Sequence, residues 1–270
     1  MDTESRHRTF HQLHQSGCFV MPNPWDLGSA RVLAGLGFKA LATTSAGFAW
    51  SVARYDNGIS IDQALTHLTA MAAAVDVPLN ADFEGGFAVE PERVAANVTR
   101  AVATGIAGLS IEDSTGKPDD PQFEFSLAVE RIRAARRAID DSGTGVLLTG
   151  RSEGFIVGRP DLAQTIARLV AYAEAGADCL YAPGIRSMSD IDAVVKAVAP
   201  KPVNVLVSTP FATAAQLQEA GVRRISVGGA LARVALSAFL DAAEEIAARG
   251  SFAGLGRARP HPEINKLFWP

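Results

Sequence analysis

Short apolar runs alternate along the chain with longer segments whose apolar residues recur at helical spacing. Eight of the short runs are typical of β-strands. They span residues 18–21, 40–43, 78–81, 108–111, 145–149, 179–181, 202–206 and 224–227. Some are apolar at consecutive positions, as in Val146-Leu147-Leu148. Strands that are covered on both faces require this pattern.

A glycine separates a helical segment from the next apolar run at four places. These glycines are Gly37, Gly105, Gly176 and Gly221. A left-handed helix C-cap costs glycine little, so each repeat predicts a helix that ends and re-enters a parallel sheet. Eight such strands predict an α/β protein folded as one (β/α)₈ barrel over residues 1–270. An open, doubly wound sheet is the alternative.

The helical segments carry recognisable end signals. Ser60, followed three residues later by Gln63, predicts a capping box at the start of a helix. A long, alanine-rich helix is predicted over 230–249. The segment 251–270 contains several glycines and prolines and is expected to be an irregular tail ending in apolar residues. We expect that tail to pack either on its own barrel or on a neighbouring subunit.

Composition narrows the classes of function. The chain has 270 residues, of which 48% are hydrophobic, and a formal net charge of -4. This charge disfavours nucleic acid and membrane surfaces as partners, and we expect a cytoplasmic protein. Cys18 and Cys179 are expected to be buried thiols without a disulfide. None of the five histidines follows a predicted strand, which disfavours a histidine-bound metal.

Polar residues cluster directly after the predicted strands. In a (β/α)₈ barrel the active site forms at the carboxyl ends of the strands. The candidates there are Ser45, Ala46 and Gly47 after the second strand, Asp56 in the loop beyond, Asp82 and Glu84 after the third, Glu112 after the fourth and Arg151 after the fifth.

Carboxylates that converge from different strands repel one another unless a cation relieves the charge. Oxygen ligands suit a hard divalent ion, so we expect Mg²⁺, with Mn²⁺ as the alternative. Because Mg²⁺ takes few protein ligands, Asp82 is expected to bind it directly, with Glu84 and Glu112 holding coordinated water. The alternative reading is that these acids cap the helices that follow them.

Arg151 emerges beside the acids with a planar fork that can bind a carboxylate through two hydrogen bonds. We therefore expect it to bind an oxo acid, the alternative being a salt bridge with Glu153 or Glu112. Ser45 and the backbone amides around Ala46-Gly47 are expected to bind the other end of the same carboxylate.

These motifs resemble the isocitrate lyase and phosphoenolpyruvate mutase superfamily over nearly the whole predicted barrel. The most specific are Ala81-Asp82-Phe83-Glu84-Gly85-Gly86 and Ile111-Glu112-Asp113, and Asn23-Pro24-Trp25-Asp26 and Thr44-Ser45-Ala46-Gly47 also match. The resemblance implies a barrel with substrate carboxylate bound at residues 45–47 and the oxo acid held by Arg151. It implies that Mg²⁺ is surrounded by Asp56, Asp82, Glu84 and Glu112.

The resemblance also implies a homo-oligomer, a dimer or tetramer, in which terminal helices are exchanged between neighbours. The predicted helix 230–249 and the tail are the candidates for exchange. We expect Asp56 to be a catalytic residue as well as a metal ligand.

The loop after the fourth strand departs from the family pattern. Members that split isocitrate or methylisocitrate carry a catalytic cysteine there, in a Lys-Lys/Arg-Cys-Gly-His sequence, whereas residues 113–121 contain none. Thr115 and Lys117 are the polar candidates on this loop; either they reach the substrate, or the loop is a solvated gate. Glu84 stands where aspartate is commoner, and Ala46 where glycine is often found.

The chemistry that the family shares is stabilisation of a pyruvate enolate. On this basis we expect a Mg²⁺-dependent lyase that breaks a C–C bond of a small 2-oxo or 2-hydroxy acid, as in oxaloacetate decarboxylation or methylisocitrate cleavage. The alternatives are a P–C bond enzyme, such as phosphonopyruvate hydrolase or phosphoenolpyruvate mutase, and a non-catalytic oxo-acid-binding protein. Asn204 is a further substrate-binding candidate. Ser208 and Tyr181, also at late strand ends, are as readily explained by packing.

Overall fold

The computed structural model describes residues 1–269. Eight parallel strands form a nearly closed barrel, with the hydrogen-bonded order β1-β8-β7-β6-β5-β4-β3-β2. The strands are β1 (Phe19–Met21), β2 (Leu41–Ala42), β3 (Leu79–Asp82), β4 (Gly108–Glu112), β5 (Leu147–Arg151), β6 (Cys179–Tyr181), β7 (Val203–Leu206) and β8 (Arg224–Ser226). Between β1 and β2, Ala42 N donates to Pro22 O at 3.1 Å. The predicted (β/α)₈ barrel is confirmed, and the open-sheet alternative is wrong.

Helices surround the barrel and cover its amino end. They are α1 (Thr3–Gln15), α2 (Leu27–Gly35), α3 (Ser45–Ser51), α4 (Ile61–Ala74), α5 (Pro91–Val102), α6 (Phe125–Ser142), α7 (Leu162–Glu174), α8 (Met188–Val198), α9 (Ala214–Glu219), α10 (Ala230–Arg249) and α11 (His261–Lys266). Ser60 and Gln63 form the predicted capping box of α4, and α10 has the predicted bounds.

The tail is more regular than its composition suggests. It contains a 3₁₀-helix, Ala253–Arg257, and the short helix α11, so the expectation of an irregular segment is wrong for these residues. Pro262 lies in the first turn of α11, where a missing N–H removes no helical hydrogen bond. The last predicted tail residue, Pro270, lies outside the described residues.

The fold has two interior regions, one between the sheet and the surrounding helices and one inside the barrel. Between the sheet and the helices, buried aliphatic side chains such as Val94, Leu109 and Ile132 form an apolar core. Inside the barrel, the buried side chains include Thr149 and Arg224. Barrel interiors are usually filled by branched apolar residues. Polar side chains therefore extend from the mouth of the barrel into its interior.

Candidate active site

Arg151 lies at the centre of the barrel mouth, among three carboxylates that end or follow neighbouring strands. Its Nη1 is 3.1 Å from Asp82 Oδ1 and 3.1 Å from Glu112 Oε2. Its Nε donates to Glu153 Oε1, and its Nη2 donates to Glu153 Oε2 at 3.2 Å. The salt bridges considered as an alternative role for Arg151 are thus present.

Burial shapes the charges in this cluster. It raises the pKa of Glu112 well above its usual range, although Arg151 opposes the shift, and it raises the pKa of Glu153 in the same way. For Arg151 itself, burial disfavours the charge, but Glu112 and Glu153 outweigh it and raise the pKa. One guanidinium cannot neutralise three carboxylates. The cluster therefore favours either a bound proton or a further cation.

Ser45 fixes the carboxylate of Asp82. The backbone N and the Oγ of Ser45 both donate to Asp82 Oδ2 at 2.9 Å. This contact arises because β3 ends at Asp82 while α3 begins at Ser45, with Thr44 as its N-cap. Ser45 therefore positions a predicted metal ligand, and its own amide is already engaged.

Ala46 and Gly47 occupy different places although they are neighbours in the sequence. Ala46 lines the cavity at the barrel mouth, whereas Gly47 is buried beneath Trp25. A Cβ on Gly47 would lie 2.8 Å from Trp25 Cβ and 2.7 Å from Thr44 Cγ2. The structure thus uses Gly47 for the close packing of α3 and does not bring it to the cavity.

Glu84 and Asp56 complete the acidic mouth. Burial raises the pKa of Glu84 to about 8, and the charges of Asp82 and Asp56 add to the shift. The pKa of Asp56 is also raised, first by partial burial of the carboxyl group and then by Asp82. Asp56, Asp82 and Glu84 repel one another, and of these three Asp82 contacts Arg151.

Arg131 on α6 holds the backbone that carries these acids. Its side chain is 1% exposed and donates to Gly85 O, to Ala88 O at 2.9 Å and to Glu112 O at 3.2 Å. The loop after β3 is strained, since Glu84 has a φ of 47°. Arg131 therefore ties this strained loop to the end of β4.

Asp113, although acidic and next to Glu112, has a structural role. Its Oδ1 accepts from Glu153 N at 2.8 Å. Its Oδ2 accepts from Tyr172 OH at 2.6 Å and from Arg168 Nη1 at 3.1 Å. Asp113 thus fixes the segment that follows β5, and with it the position of Glu153.

Thr115 and Lys117, the catalytic candidates of the loop after β4, do not line the cavity. The hydroxyl group of Thr115 donates to Asp120 O within the same loop. Lys117 is exposed, and its backbone N donates to Thr115 Oγ1 at 3.0 Å. The geometry agrees with a solvated gate loop, and a catalytic role for either residue stays a prediction.

A cavity of about 160 Å³ runs from the mouth into the barrel. Asp56, Asp82 and Arg151 line it near the mouth, and Asn204 and Arg224 line its inner part. Tyr181 also lines this cavity. Ser208, the other late strand-end candidate, instead lines a groove beside α10.

The acidic residues fit a divalent cation, although residues 1–269 contain no group of three or more His, Cys, Asp or Glu already arranged as a metal site. Asp56, Asp82 and Glu84 offer only oxygen donors, which suits Mg²⁺. The charge of Asp82 contributes to the raised pKa of Asp56 and of Glu84, and a double positive charge at this place would reverse that effect. The donor set therefore agrees with the predicted metal.

Sequence reasoning missed two contributors to the site. The sequence predicts Glu153 only as a salt-bridge partner of Arg151, and it does not predict Arg224 at the site. The signal for Arg224 was present, since a charged residue stood in a strand expected to be covered on both faces. Such a residue points into the barrel or disrupts the strand.

The barrel and the acids at its mouth place the chain among (β/α)₈ proteins with a site at the carboxyl ends of the strands. Residues 10–247 match the model of the phosphoenolpyruvate phosphomutase family. The chain belongs to this family, and the resemblance to the isocitrate lyase and phosphoenolpyruvate mutase superfamily is confirmed. The superfamily includes lyases and mutases, which supports an enzymatic activity.

Similar proteins are found among both sequences and structures. A crystal structure from Burkholderia cenocepacia J2315, described provisionally as a lyase/mutase, is 46% identical with a TM-score of 0.95, covering 99% of this chain and 97% of that one. An uncharacterized protein of Mycobacterium tuberculosis is 33% identical over 95% of this chain and 94% of its own. Oxaloacetate decarboxylase of Paraburkholderia xenovorans is 30% identical over 73% of this chain and 67% of its own.

No helix within residues 1–269 is both long enough and apolar enough to cross a membrane. The cytoplasmic location stays a prediction.

Proposed function

We propose that the protein is a divalent-metal-dependent lyase that breaks a C–C bond of a small 2-oxo or 2-hydroxy carboxylic acid. The observation that carries this proposal is the position of Arg151, which meets Asp82 and Glu112 where the cavity opens. A cation and a set of metal-binding acids at one opening suit a substrate whose oxygens are shared between them. The similarity to an oxaloacetate decarboxylase supports the same reaction class.

We propose Mg²⁺ as the metal, with Mn²⁺ as the alternative, held by Asp56, Asp82 and Glu84. Glu112 would assist by holding water bound to the ion. When bound, the ion supplies Lewis-acid polarisation of the substrate carbonyl group. Ser45 contributes by holding Asp82 in one orientation through two hydrogen bonds.

Arg151 binds the substrate in this proposal. Its Nη2 makes one hydrogen bond to Glu153 in the structure, which leaves one N–H for a substrate oxygen. The surrounding carboxylates keep it protonated, since they raise its pKa. Negative charge that develops on the oxo acid as the C–C bond breaks is then stabilised by a fixed positive group.

Decarboxylation suits the cysteine-free gate loop. Cys179 is buried in the barrel, where burial raises its pKa, and Cys18 precedes β1 at the amino end. Neither thiol lines the site cavity. CO₂ leaves without taking up a proton, and the enolate that remains would take one from water to become pyruvate. Decarboxylation therefore needs no protein acid beside the leaving group. Retro-aldol cleavage needs a group that accepts the proton of the substrate hydroxyl, and Glu112 or Glu153 offers one.

A P–C bond enzyme is the second candidate. The match to the phosphoenolpyruvate phosphomutase model favours it. The same arginine and metal acids would bind the oxo-acid part of phosphonopyruvate.

The test is an assay of the purified protein, first stripped of metal with EDTA, on oxaloacetate, methylisocitrate, isocitrate and phosphonopyruvate. Each substrate is tested with and without Mg²⁺, and pyruvate, glyoxylate and phosphate are measured separately. We expect Mg²⁺-dependent pyruvate without phosphate. Arg151→Lys should lower kcat by about 10²-fold or more, whereas the exposed control Arg100→Lys should not.

Other outcomes discriminate between the candidates. Phosphate release from phosphonopyruvate would replace the C–C lyase with the P–C enzyme. Oxo-acid binding without turnover of any of the four acids would favour the non-catalytic protein. Unchanged activity of Arg151→Lys would show that the site has been misplaced.

We also propose that the working form is a homo-oligomer. In helix α10 only Ala232 is fully buried, and Val234 and Phe239 are 67% and 66% exposed. A 20-residue helix that is this exposed gains little from packing within its own chain. A second copy of the chain is the proposed partner of this surface.

A further inference from the structure

Arg224 places a positive charge inside the barrel without a carboxylate beside it. Its side chain is 2% exposed, and Nε and Nη2 donate to Asn204 Oδ1 and Thr149 Oγ1, each at 2.9 Å. Nη1 lies 3.3 Å from Nε2 of His14. These three partners are uncharged, because burial and the charge of Arg224 lower the pKa of His14 to about 3. No salt bridge of Arg224 occurs within residues 1–269.

A buried guanidinium without a counter-ion is costly, because its loss of hydration is not balanced by an opposite charge. The neighbouring buried arginines Arg151 and Arg168 both have carboxylate partners. Arg131 has carbonyl oxygens instead. Arg151 also lines the cavity that opens at the active site, but it is paired with carboxylates, whereas Arg224 lines the same cavity with uncharged partners alone.

The position of Thr149 relates Arg224 to the mouth. Thr149 stands two residues before Arg151 on β5, so both side chains point into the barrel. A two-residue step along a strand is about 7 Å. The guanidinium of Arg224, bonded to Thr149, therefore lies one layer of side chains below that of Arg151.

The cavity between these two arginines is polar. Ser110, Tyr181 and Ser226 line it, together with Asn80, whose buried Oδ1 has no hydrogen-bond partner. A guanidinium has five N–H donors, and Arg224 uses three of them, which leaves two. Ser226 accepts from Asn204 Nδ2 at 2.9 Å and so keeps its own O–H for donation.

We propose that Arg224 and Ser226 form an interior anion subsite, which binds a second carboxylate of the substrate below the one held at Arg151. The substrate is then a short dicarboxylic acid that extends into the barrel. This inference rests on the proposed function only in placing the first carboxylate of the same acid at Arg151. Arg224 and Ser226 both line the cavity that such an acid would enter.

Matched pairs of acids test the subsite. Malate and lactate are both 2-hydroxy acids and differ by one carboxylate, and neither loses CO₂ spontaneously. We expect calorimetric titration of the Mg²⁺-loaded full chain to give malate an affinity at least about 10²-fold higher than that of lactate. Arg224→Met, which keeps the length of the side chain, should remove this preference and leave lactate binding unchanged.

A milder variant covers the case in which Arg224→Met does not fold. Ser226→Ala leaves Arg224 in place and should lower the affinity for malate by about 5- to 10-fold, again without changing the affinity for lactate. Arg151→Lys should lower the affinity for both malate and lactate, and so it tests the proposed function separately. A wild-type protein that binds malate no better than lactate, or binds neither, overturns the subsite. So does an Arg224→Met or Ser226→Ala protein that folds and keeps the full preference.

Discussion

His14 is neutral in the folded protein because burial and the charge of Arg224 lower its pKa from 6.5 to about 3. Its Nδ1 donates to Phe10 O at 2.7 Å, and its Nε2 faces Arg224. In the unfolded chain the same side chain takes up a proton near pH 6.5. The stability that depends on neutral His14 is therefore full above pH 6.5 and is lost as the pH falls towards 3.

We predict that His14→Gln reduces the acid sensitivity of the fold. For each pH unit below 6.5, the free energy of unfolding of the wild type should fall by about 1.4 kcal/mol because of this one proton. Glutamine can also accept a hydrogen bond from Arg224 but takes up no proton, so the variant should not show this loss. Urea unfolding at pH 7, 6 and 5 measures the difference between the two proteins. The exposed His261→Gln serves as the control. Parallel pH profiles for His14→Gln and the wild type would contradict the assignment.

At this scale the sequence predicted the acids and Arg151, because polar residues after barrel strands must lie near the mouth. It could not predict which of their oxygens and nitrogens would already be engaged. The amide of Ser45 is taken by Asp82, and Gly47 is buried under Trp25. These details depend on the angle at which α3 leaves β2, which local sequence does not determine.

Helix α6 supports the site through Arg131, which bonds to backbone oxygens of two segments. We predict that Arg131→Met destabilises the protein by about 3 kcal/mol, because buried carbonyl oxygens lose a charged donor. We also expect weaker Mg²⁺ binding, since the loop that carries Glu84 is no longer held to β4. The metal affinity distinguishes this positioning role from a purely structural one.

Arg133→Met, on the same helix, is the matched control. Arg133 is exposed, and within residues 1–269 its salt bridge is with Glu130 on the surface. Its replacement should change stability by less than about 0.5 kcal/mol and leave Mg²⁺ affinity unchanged. Urea unfolding and calorimetric titration with Mg²⁺ measure both effects. Equal behaviour of the two variants would count against the role of Arg131.

The strands and the long helix were predictable because their apolar patterns are strong and local. The 3₁₀-helix of the tail was not predictable from the sequence, because its backbone is held by a side chain of another helix. Glu245 on α10 accepts from the backbone N of Ala253 at 2.9 Å and of Gly254 at 2.8 Å. No pattern within residues 251–270 contains this information.

For the whole molecule, the exposed apolar side chains of α10 predict self-association. A variant carrying both Phe239→Asp and Leu240→Asp should shift the protein towards the 28.4 kDa monomer, because charged side chains resist burial in an interface. Light scattering after size-exclusion chromatography measures the mass. Leu36→Asp, at an exposed apolar position after α2, is the control. A wild-type protein that is monomeric at all concentrations would refute the proposed oligomer.

The contacts of Arg224 also have a consequence for how the chain folds. They join β8 to Thr149, 75 positions earlier, and to His14, 210 positions earlier. A growing chain on the ribosome reaches its last strand late, and until then Asn204 and Thr149 lack the cation that binds them. The barrel interior can be completed only when both ends of the chain have met. Folding of this barrel is therefore expected to conclude in one late, cooperative step, instead of adding stable strands in order of synthesis.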